Sequence, residues 1–306
     1  LVVGIDRLGQ AEALADSGAD IVVADLKDLG FELGTGPAGR PIEEVPSALS
    51  ETEEIARRLD GKRIAVFLDY DGTLTPIVER PELAVMPDEM RATVSSLAGR
   101  WPVAIISGRD RGDLQSLVKL PSLTYVGDHG FDIVGPSGRR IRHAGGAKSV
   151  PAVREAEREL REELAGVEGA IVERKYCTVA VHYRLVKEED LGAVREAVEA
   201  VASRHPELRE MAGKKVCELL PRMDWDKGKA LEWLLHALNL EGPDVVPLYL
   251  GDDRTDEDAF QALRGLGIGI VVGRGLRPTL ADYSLEDPGE VGTFLENLIT
   301  MLEART

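Results

Sequence analysis

Asp69 and Asp71 stand one residue apart in the stretch FLDYDGTL, directly behind the apolar run RIAVF. Side chains two positions apart leave an extended strand on the same side, so both carboxylates enter one space and each makes the other harder to ionise. Gly72 lets the backbone turn so that the following N–H groups face inward and cradle an anion, with Thr73 in the same turn as a substrate-binding candidate. Two further apolar runs end in polar clusters: PVAII is followed by Ser107-Gly-Arg109, and VPLYL by Gly251-Asp252-Asp253-Arg-Thr-Asp256. Carboxylates crowded in this way need a cation among them. Oxygen ligands without His or Cys favour Mg²⁺, held by Asp69, Asp71 and Asp252 and ligating a phosphate oxygen as well.

The chemistry that follows is magnesium-dependent phosphoryl transfer. Asp69, first out of the strand, is the candidate nucleophile. Asp71 is the candidate general acid for the leaving sugar oxygen and then the base for the water that cleaves the acyl phosphate. Ser107 and Lys227 bind the transferring oxygens, and Asp256 orients Lys227 or a metal-bound water. Taken singly, each motif has a plainer explanation: a DxD is a turn, WDKG a helix start capped by Asp226, and GDDRTDED a solvated acidic loop. Their order, each at a strand end or the next helix start, makes the joint signal.

The elements that must carry these residues form an α/β fold. Near-continuous apolar runs alternate with helices from residue 63, which implies a Rossmann-like core with a parallel sheet covered on both faces, ligands lying beyond the carboxyl ends of its strands. Residues 147–220 change character, to helix, two strand-like runs, helix and a final run KKVCELL, and form an inserted small α+β lid with one polar face. The expected organisation is a partial α/β fragment and linker over 1–45, the first part of the core over 46–146, the lid over 147–220 and the second part of the core over 221–306. Short connections near AGGAKS and LLPRMD join the lid to the core. Residues 1–27 read strand, helix (GQAEALADSG), strand, then a Gly- and Pro-rich loop, GFELGTGPAGRPIEEVPS, and contain no nucleophile.

Composition narrows the partners. The 306 residues carry 54 acidic and 37 basic side chains, a net charge of −17, which opposes attraction to nucleic acid or anionic lipid. No apolar stretch is long enough to span a bilayer and no secretory pattern opens the sequence, so a cytoplasmic location is expected. The 2 cysteines, Cys177 and Cys217, suggest neither a disulfide framework nor zinc, and the 5 histidines form no HExxH.

DYDGTLTPI at 69–77, SGR at 107–109, GDHG at 127–130 and GDDRTDEDAF at 251–260 together resemble the haloacid dehalogenase superfamily, and within it the trehalose-6-phosphate phosphatases. ERKYCTVAVHYR at 173–184 is similar to that family's E-x-K…H-Y-R segment, and GKKVCELLP at 213–221 to its G-K-x-V-x-E-x-x-P segment. The resemblance implies that Glu173, Lys175, His182, Arg184 and Glu218 face the core site and bind sugar hydroxyls, with Arg109 and His129 reaching in from the core side. It further implies hydrolysis of a small sugar phosphate, trehalose 6-phosphate, in trehalose biosynthesis. Leu220 departs from the family's basic residue before the proline; either Arg222 substitutes or one sugar contact is lost. The N-terminal piece resembles the tail of a second, phosphoglucomutase-like member of the superfamily. Two alternatives remain beside this reading: a phosphatase or phosphomutase for another sugar phosphate, and a catalytically silent regulatory module.

Overall fold

The computed structural model describes residues 3–5, 21–23 and 39–304, except positions 79, 137, 139, 143 and 214. Two compact units divide the chain, Leu1–Ala38 and Gly39–Thr306. In the first, β1 (Val3–Ile5) and β2 (Ile21–Val23) pair in parallel. The helix expected at 9–18 lies outside the described residues, as does the loop up to residue 38. In the described remainder of that expected loop, β3 (Arg40–Pro41) pairs antiparallel with β15 (Pro278–Thr279) and a 3-10 turn covers Ile42–Glu44.

The second unit is built on an eight-stranded sheet. Its parallel part comprises β4 (Arg63–Leu68), β5 (Val103–Ile106), β6 (Thr124–Gly127), β13 (Val245–Gly251), β14 (Ile268–Val272) and β16 (Tyr283–Leu285), while β7 (Asp132–Val134) and β8 (Arg140–Arg142) extend it as antiparallel strands. The order is β16-β14-β13-β4-β5-β6-β7-β8, which puts β4, the strand that ends in Asp69, between β13 and β5. Alternation along β4 explains why both faces are apolar. Ile64, Val66 and Leu68 pack in one layer with α1 (Thr52–Leu59), α2 (Asp88–Ala98), α3 (Arg111–Val118) and α8 (Pro288–Glu303), whereas Ala65 and Phe67 pack in the other with α6 (Lys227–Ala237) and α7 (Glu257–Leu263). Asp226 caps α6, its carboxylate accepting from Lys229 N at 2.8 Å, as WDKG suggests.

A second sheet carries the lid. α4 (Ala144–Glu163) and α5 (Leu191–Arg204) cover one face of β9 (Ile171–Arg174), β10 (Val179–His182), β11 (Leu208–Gly213) and β12 (Val216–Pro221), arranged β11-β12-β10-β9 and antiparallel throughout. Val153, Leu160, Val172, Val179, Val181, Val198 and Leu219 form the core between them. The opposite face is the polar one that the sequence implies.

Two local expectations are corrected. The lid has four strands where the sequence suggests three, because LREMAG forms the edge strand β11, whose charged residues hide its strand character and suit an exposed edge. AGGAKS, expected as a short connection, is the start of helix α4, where Gly146 lies so close to Phe131 and Cys177 that an added Cβ would meet their atoms at 2.7 and 3.0 Å. Glycine is required there by close approach rather than by bending.

Candidate active site

Three adjacent strands of the core bring their carboxyl ends to the floor of one cavity of about 900 Å³, and the polar face of the lid sheet forms its roof. Asp69 is 5% exposed at the end of β4 and accepts from Lys227 Nζ at 2.8 Å through Oδ1. Lys227, equally buried at the start of α6, donates also to Asp256 Oδ1 at 2.7 Å. Asp256 has no exposed surface, and takes further hydrogen bonds from Tyr249 Oη at 2.7 Å and from the Asp253 N–H at 2.8 Å. The expected link between Lys227 and Asp256 is therefore present in the geometry, and Tyr249 is an additional member. Tyr249 was not legible as a site residue because VVPLYL is otherwise a buried strand.

Charge in this cluster is out of balance. Burial and the charges of Asp256 and Asp252 raise the Asp69 carboxyl well above its ordinary value, against the opposing pull of Lys227. Burial alone would depress the Lys227 ammonium, but Asp256 and Asp69 reverse that and raise it. One ammonium thus bridges two of the three neighbouring carboxylates, Asp69 and Asp256. Oxygens of Asp69, Asp252 and Asp256 lie within 4.8 Å of one another, and this all-oxygen, anionic set fits a hard divalent cation. The cluster differs from the expected ligand set in one member: Asp71 is turned away, held by Arg109 through Nε–Oδ2 and Nη2–Oδ1 bonds of 2.6 Å each. A guanidinium fork satisfies both oxygens of one carboxylate, as Arg109 does here for Asp71.

The turn after β4 shapes this floor. Gly72 has φ +84°, and a Cβ there would lie 2.2 Å from Asp252 Oδ2. Gly72→Ala is expected to displace the Asp252 carboxylate, weaken metal binding and lower activity about 100-fold, with roughly 1–2 kcal/mol lost to the left-handed backbone. Metal titration of activity together with urea unfolding checks both parts. Thr73, expected to touch substrate, does not line the cavity; it is fully buried and its Oγ1 has no hydrogen-bond partner among the described residues. Ser107 does line it, 2% exposed, with Oγ accepting from the Arg109 N–H at 3.2 Å.

All the other residues expected to bind substrate line the cavity: Arg109, His129, Glu173, Lys175, His182, Arg184 and Glu218. Apart from Arg109, which pairs with Asp71, and Arg184, they divide into two groups by their partners. Glu173 and His182 form a half-exposed pair on the lid sheet, 2.6 Å apart, and the bond from His182 holds the Glu173 carboxyl below its ordinary range despite burial. Lys175 and Glu218 are buried, ion-paired with each other, and tied to the core: Lys175 Nζ donates to Gly108 O at 2.7 Å and His129 Nε2 lies 2.6 Å from Glu218 Oε2. Burial would raise the Glu218 carboxyl, but His129 and Lys175 drive it well below the usual carboxylate range. Arg222 does not replace the basic residue missing at Leu220. Its guanidinium is spent on Pro206 O at 2.8 Å and Leu208 O at 3.0 Å and does not line the cavity, while Leu220 is 2% exposed.

Residues 67–289 match the family model described as trehalose-phosphatase. The sequence is 48% identical over 266 residues to a probable trehalose-phosphate phosphatase D of Arabidopsis thaliana, an alignment covering 83% of this chain and 72% of the plant protein. It is 43% identical over 309 residues to an uncharacterized glycosyl hydrolase of Mycobacterium tuberculosis, covering 99% of this chain but only 23% of that longer protein. Among solved structures, the trehalose-6-phosphate phosphatase of Aspergillus fumigatus superposes with a TM-score of 0.59 at 28% identity, over 84% of this chain and 99% of the fungal one.

Proposed function

Since the chain belongs to the trehalose-phosphatase family, we propose that it is a phosphoric monoester hydrolase that converts trehalose 6-phosphate to trehalose and phosphate. The observation that carries this reading is the buried Asp69–Lys227–Asp256 cluster, with Asp252 beside it, at the floor of a cavity whose roof is polar. An Asp69 oxygen attacks phosphorus and the bond from phosphorus to the sugar 6-oxygen breaks, leaving the phosphoryl group on Asp69 as an acyl phosphate. Asp71 gives its proton to the departing sugar oxygen. Water then attacks phosphorus, Asp71 takes its proton, and Asp69 is restored as phosphate leaves. Lys227 and Ser107 hold the transferring oxygens throughout.

Asp71 cannot serve as the acid while both of its oxygens accept from Arg109. Substrate entry is therefore coupled to an exchange in which Arg109 leaves Asp71 for the sugar phosphate, and the carboxyl so freed carries the proton. Asp69 and Asp252 are the residues that would hold Mg²⁺, with Asp256 behind them. Bound there, the ion would neutralise the crowded carboxylates and the charge on the phosphoryl oxygens.

On the lid side, Glu173, His182 and Arg184 are the sugar contacts, facing the cavity with part of their surface open. A charged hydrogen bond is worth about 1.5–3 kcal/mol, so Glu173→Gln and His182→Ala are each expected to raise KM for trehalose 6-phosphate by about 10- to 100-fold. The same variants should hydrolyse a small aryl phosphate within about threefold of the parent rate, since the chemistry at the floor is untouched. Equal losses on the two substrates remove these residues from the sugar site. The reading as a whole is tested by phosphate release from a panel of sugar phosphates, with and without Mg²⁺. It requires trehalose 6-phosphate to head the ranking by kcat/KM and every rate to collapse without the ion. A protein in the cytoplasm, acting on a small sugar phosphate rather than on nucleic acid or lipid, accords with the net charge of −17 and with the lack of any helix, among the described residues, long and apolar enough to cross a membrane.

A further inference from the structure

The loop that follows β6 is backbone-strained where no glycine explains it: Asp128 and His129 are both left-handed, at φ +51° and +56°, ahead of Gly130 at +99°. Such conformations cost of order 1–3 kcal/mol each outside glycine and persist where the surroundings impose them. Here the surroundings are the Ser107–Arg109 segment, which accepts the Asp128 N–H on Arg109 O at 2.7 Å and the His129 N–H on Ser107 O at 3.3 Å. The strain aims the fully buried Asp128 carboxylate out of the core and into the lid, where Oδ2 accepts from Cys177 N at 2.6 Å and Oδ1 from Thr178 Oγ1 at 2.5 Å. Those two donors form the tight turn between β9 and β10, closed by Lys175 N donating to Thr178 O at 2.9 Å.

Other joints of the lid meet at the same corner. Gly146, in the first turns of α4, packs against Phe131 and Cys177, and Trp225, just beyond the return from β12, stacks on Phe131 with ring centroids 5.9 Å apart. The far end of the lid sheet has different surroundings. By register Ile171 lies opposite His182, which lies opposite Val216, and exposed Ile171 and Leu185 line the cavity with Ile77 of the core, at 53%, 56% and 52% exposure.

We infer that Asp128 is a positioning residue, the pivot of the lid: it pins the β9–β10 turn over the Ser107–Arg109 segment, so that the lid opens by tilting at its far end instead of lifting away. The pivot sets where Lys175 and Glu218 stand over the phosphate-binding rim and leaves the entrance between Ile77, Ile171 and Leu185. The kinetic consequence rests on the trehalose 6-phosphate reading; the motion does not.

Two measurements on the full chain test this. In kinetics, Asp128→Asn and Thr178→Val each raise KM for trehalose 6-phosphate about tenfold or more, Thr178→Ser restores it, and the double variant is no worse than the worse single one. Activity on an aryl phosphate stays within about threefold. In the second, spin labels are placed at Asp88→Cys with Glu168→Cys (far end) and, separately, at Asp88→Cys with Glu207→Cys (near end); buried Cys177 and Cys217, whose thiols burial pushes up, stay unlabelled. Adding Mg²⁺ with inorganic phosphate should shift the far-end distance and leave the near-end one unchanged and narrow, until Asp128→Asn broadens it. Additive kinetic effects, equal loss on both substrates, or near-end and far-end distances that move together in the parent protein overturn the pivot. If the parent protein ignores trehalose 6-phosphate yet shows the fixed near end, the substrate reading fails and the pivot stands.

Discussion

Asp69→Asn is expected to abolish phosphate release, lowering kcat by at least about four orders of magnitude, while the protein stays folded. Loss of a nucleophile removes the covalent route entirely, and what remains is binding and electrostatic help to water, which sets losses of this size in enzymes whose groups act as a unit. The fold survives for a reason specific to this site. Asp69 is buried and its carboxyl is raised by burial and by Asp256 and Asp252, so the substitution removes a charge that the folded state holds at a cost. Lys227 keeps Asp256 as its partner and the amide oxygen of the new side chain as an acceptor. Thermal unfolding without metal should therefore show the variant at least as stable as the parent at neutral pH. The difference should shrink in acid. A carboxyl whose folded pKa lies above its unfolded value binds more protons in the folded state between the two, so it lowers stability as pH rises through that window and costs nothing below both values.

Lys227→Met should do the reverse, losing both activity and stability. Its ammonium, 5% exposed, bridges Asp69 and Asp256 at 2.8 and 2.7 Å, and removing it leaves buried carboxylates without their cation. Breaking a buried pair from one side costs about 3–5 kcal/mol, and losing a group that neutralises transferring oxygens costs about 10²–10³ in rate. Methionine fills the space of the lysine stem, so the loss is electrostatic and not a cavity effect. The Lys227 ammonium is raised above its ordinary value, so its contribution is fully present below its unfolded value and is lost only as pH climbs through the raised one. Accordingly the gap in unfolding free energy between parent and variant is expected to stay flat from neutral to mildly alkaline pH. On the acid side it narrows as the carboxylates take up protons. Equal stability of the two proteins at neutral pH contradicts this account of the cluster.

The parts of the site that the sequence made legible are those fixed by the ends of β4, β5 and β13. A buried strand delivers whatever follows it to the rim, so Asp69, Ser107 and Asp252 could be placed from apolar runs alone. Pairing was not legible in the same way. That Asp71 is claimed by Arg109, that Tyr249 supports Asp256, and that Lys175 and Glu218 reach across the seam to Gly108 and His129 all depend on distances set by strand order and lid placement. The GDHG segment gave a usable cue in His129, which meets Glu218 of the lid, but gave none that Asp128 crosses into the lid beside it, on a left-handed backbone. Leu208–Gly213 escaped notice because an edge strand needs neither apolar residues on both faces nor a turn signal.

The claim on which the rest depends is that phosphorus passes through Asp69. Rapid acid quenching of the protein with Mg²⁺ and trehalose 6-phosphate, followed by borohydride reduction and peptide mass mapping, reads this directly, since an acyl phosphate is reduced to the alcohol while a free carboxylate is not. The account predicts reduction at Asp69 alone, dependent on both substrate and metal and absent from Asp69→Asn. Turnover with an unmodified Asp69 at every quench time, or reduction at Asp71 in its place, would contradict it.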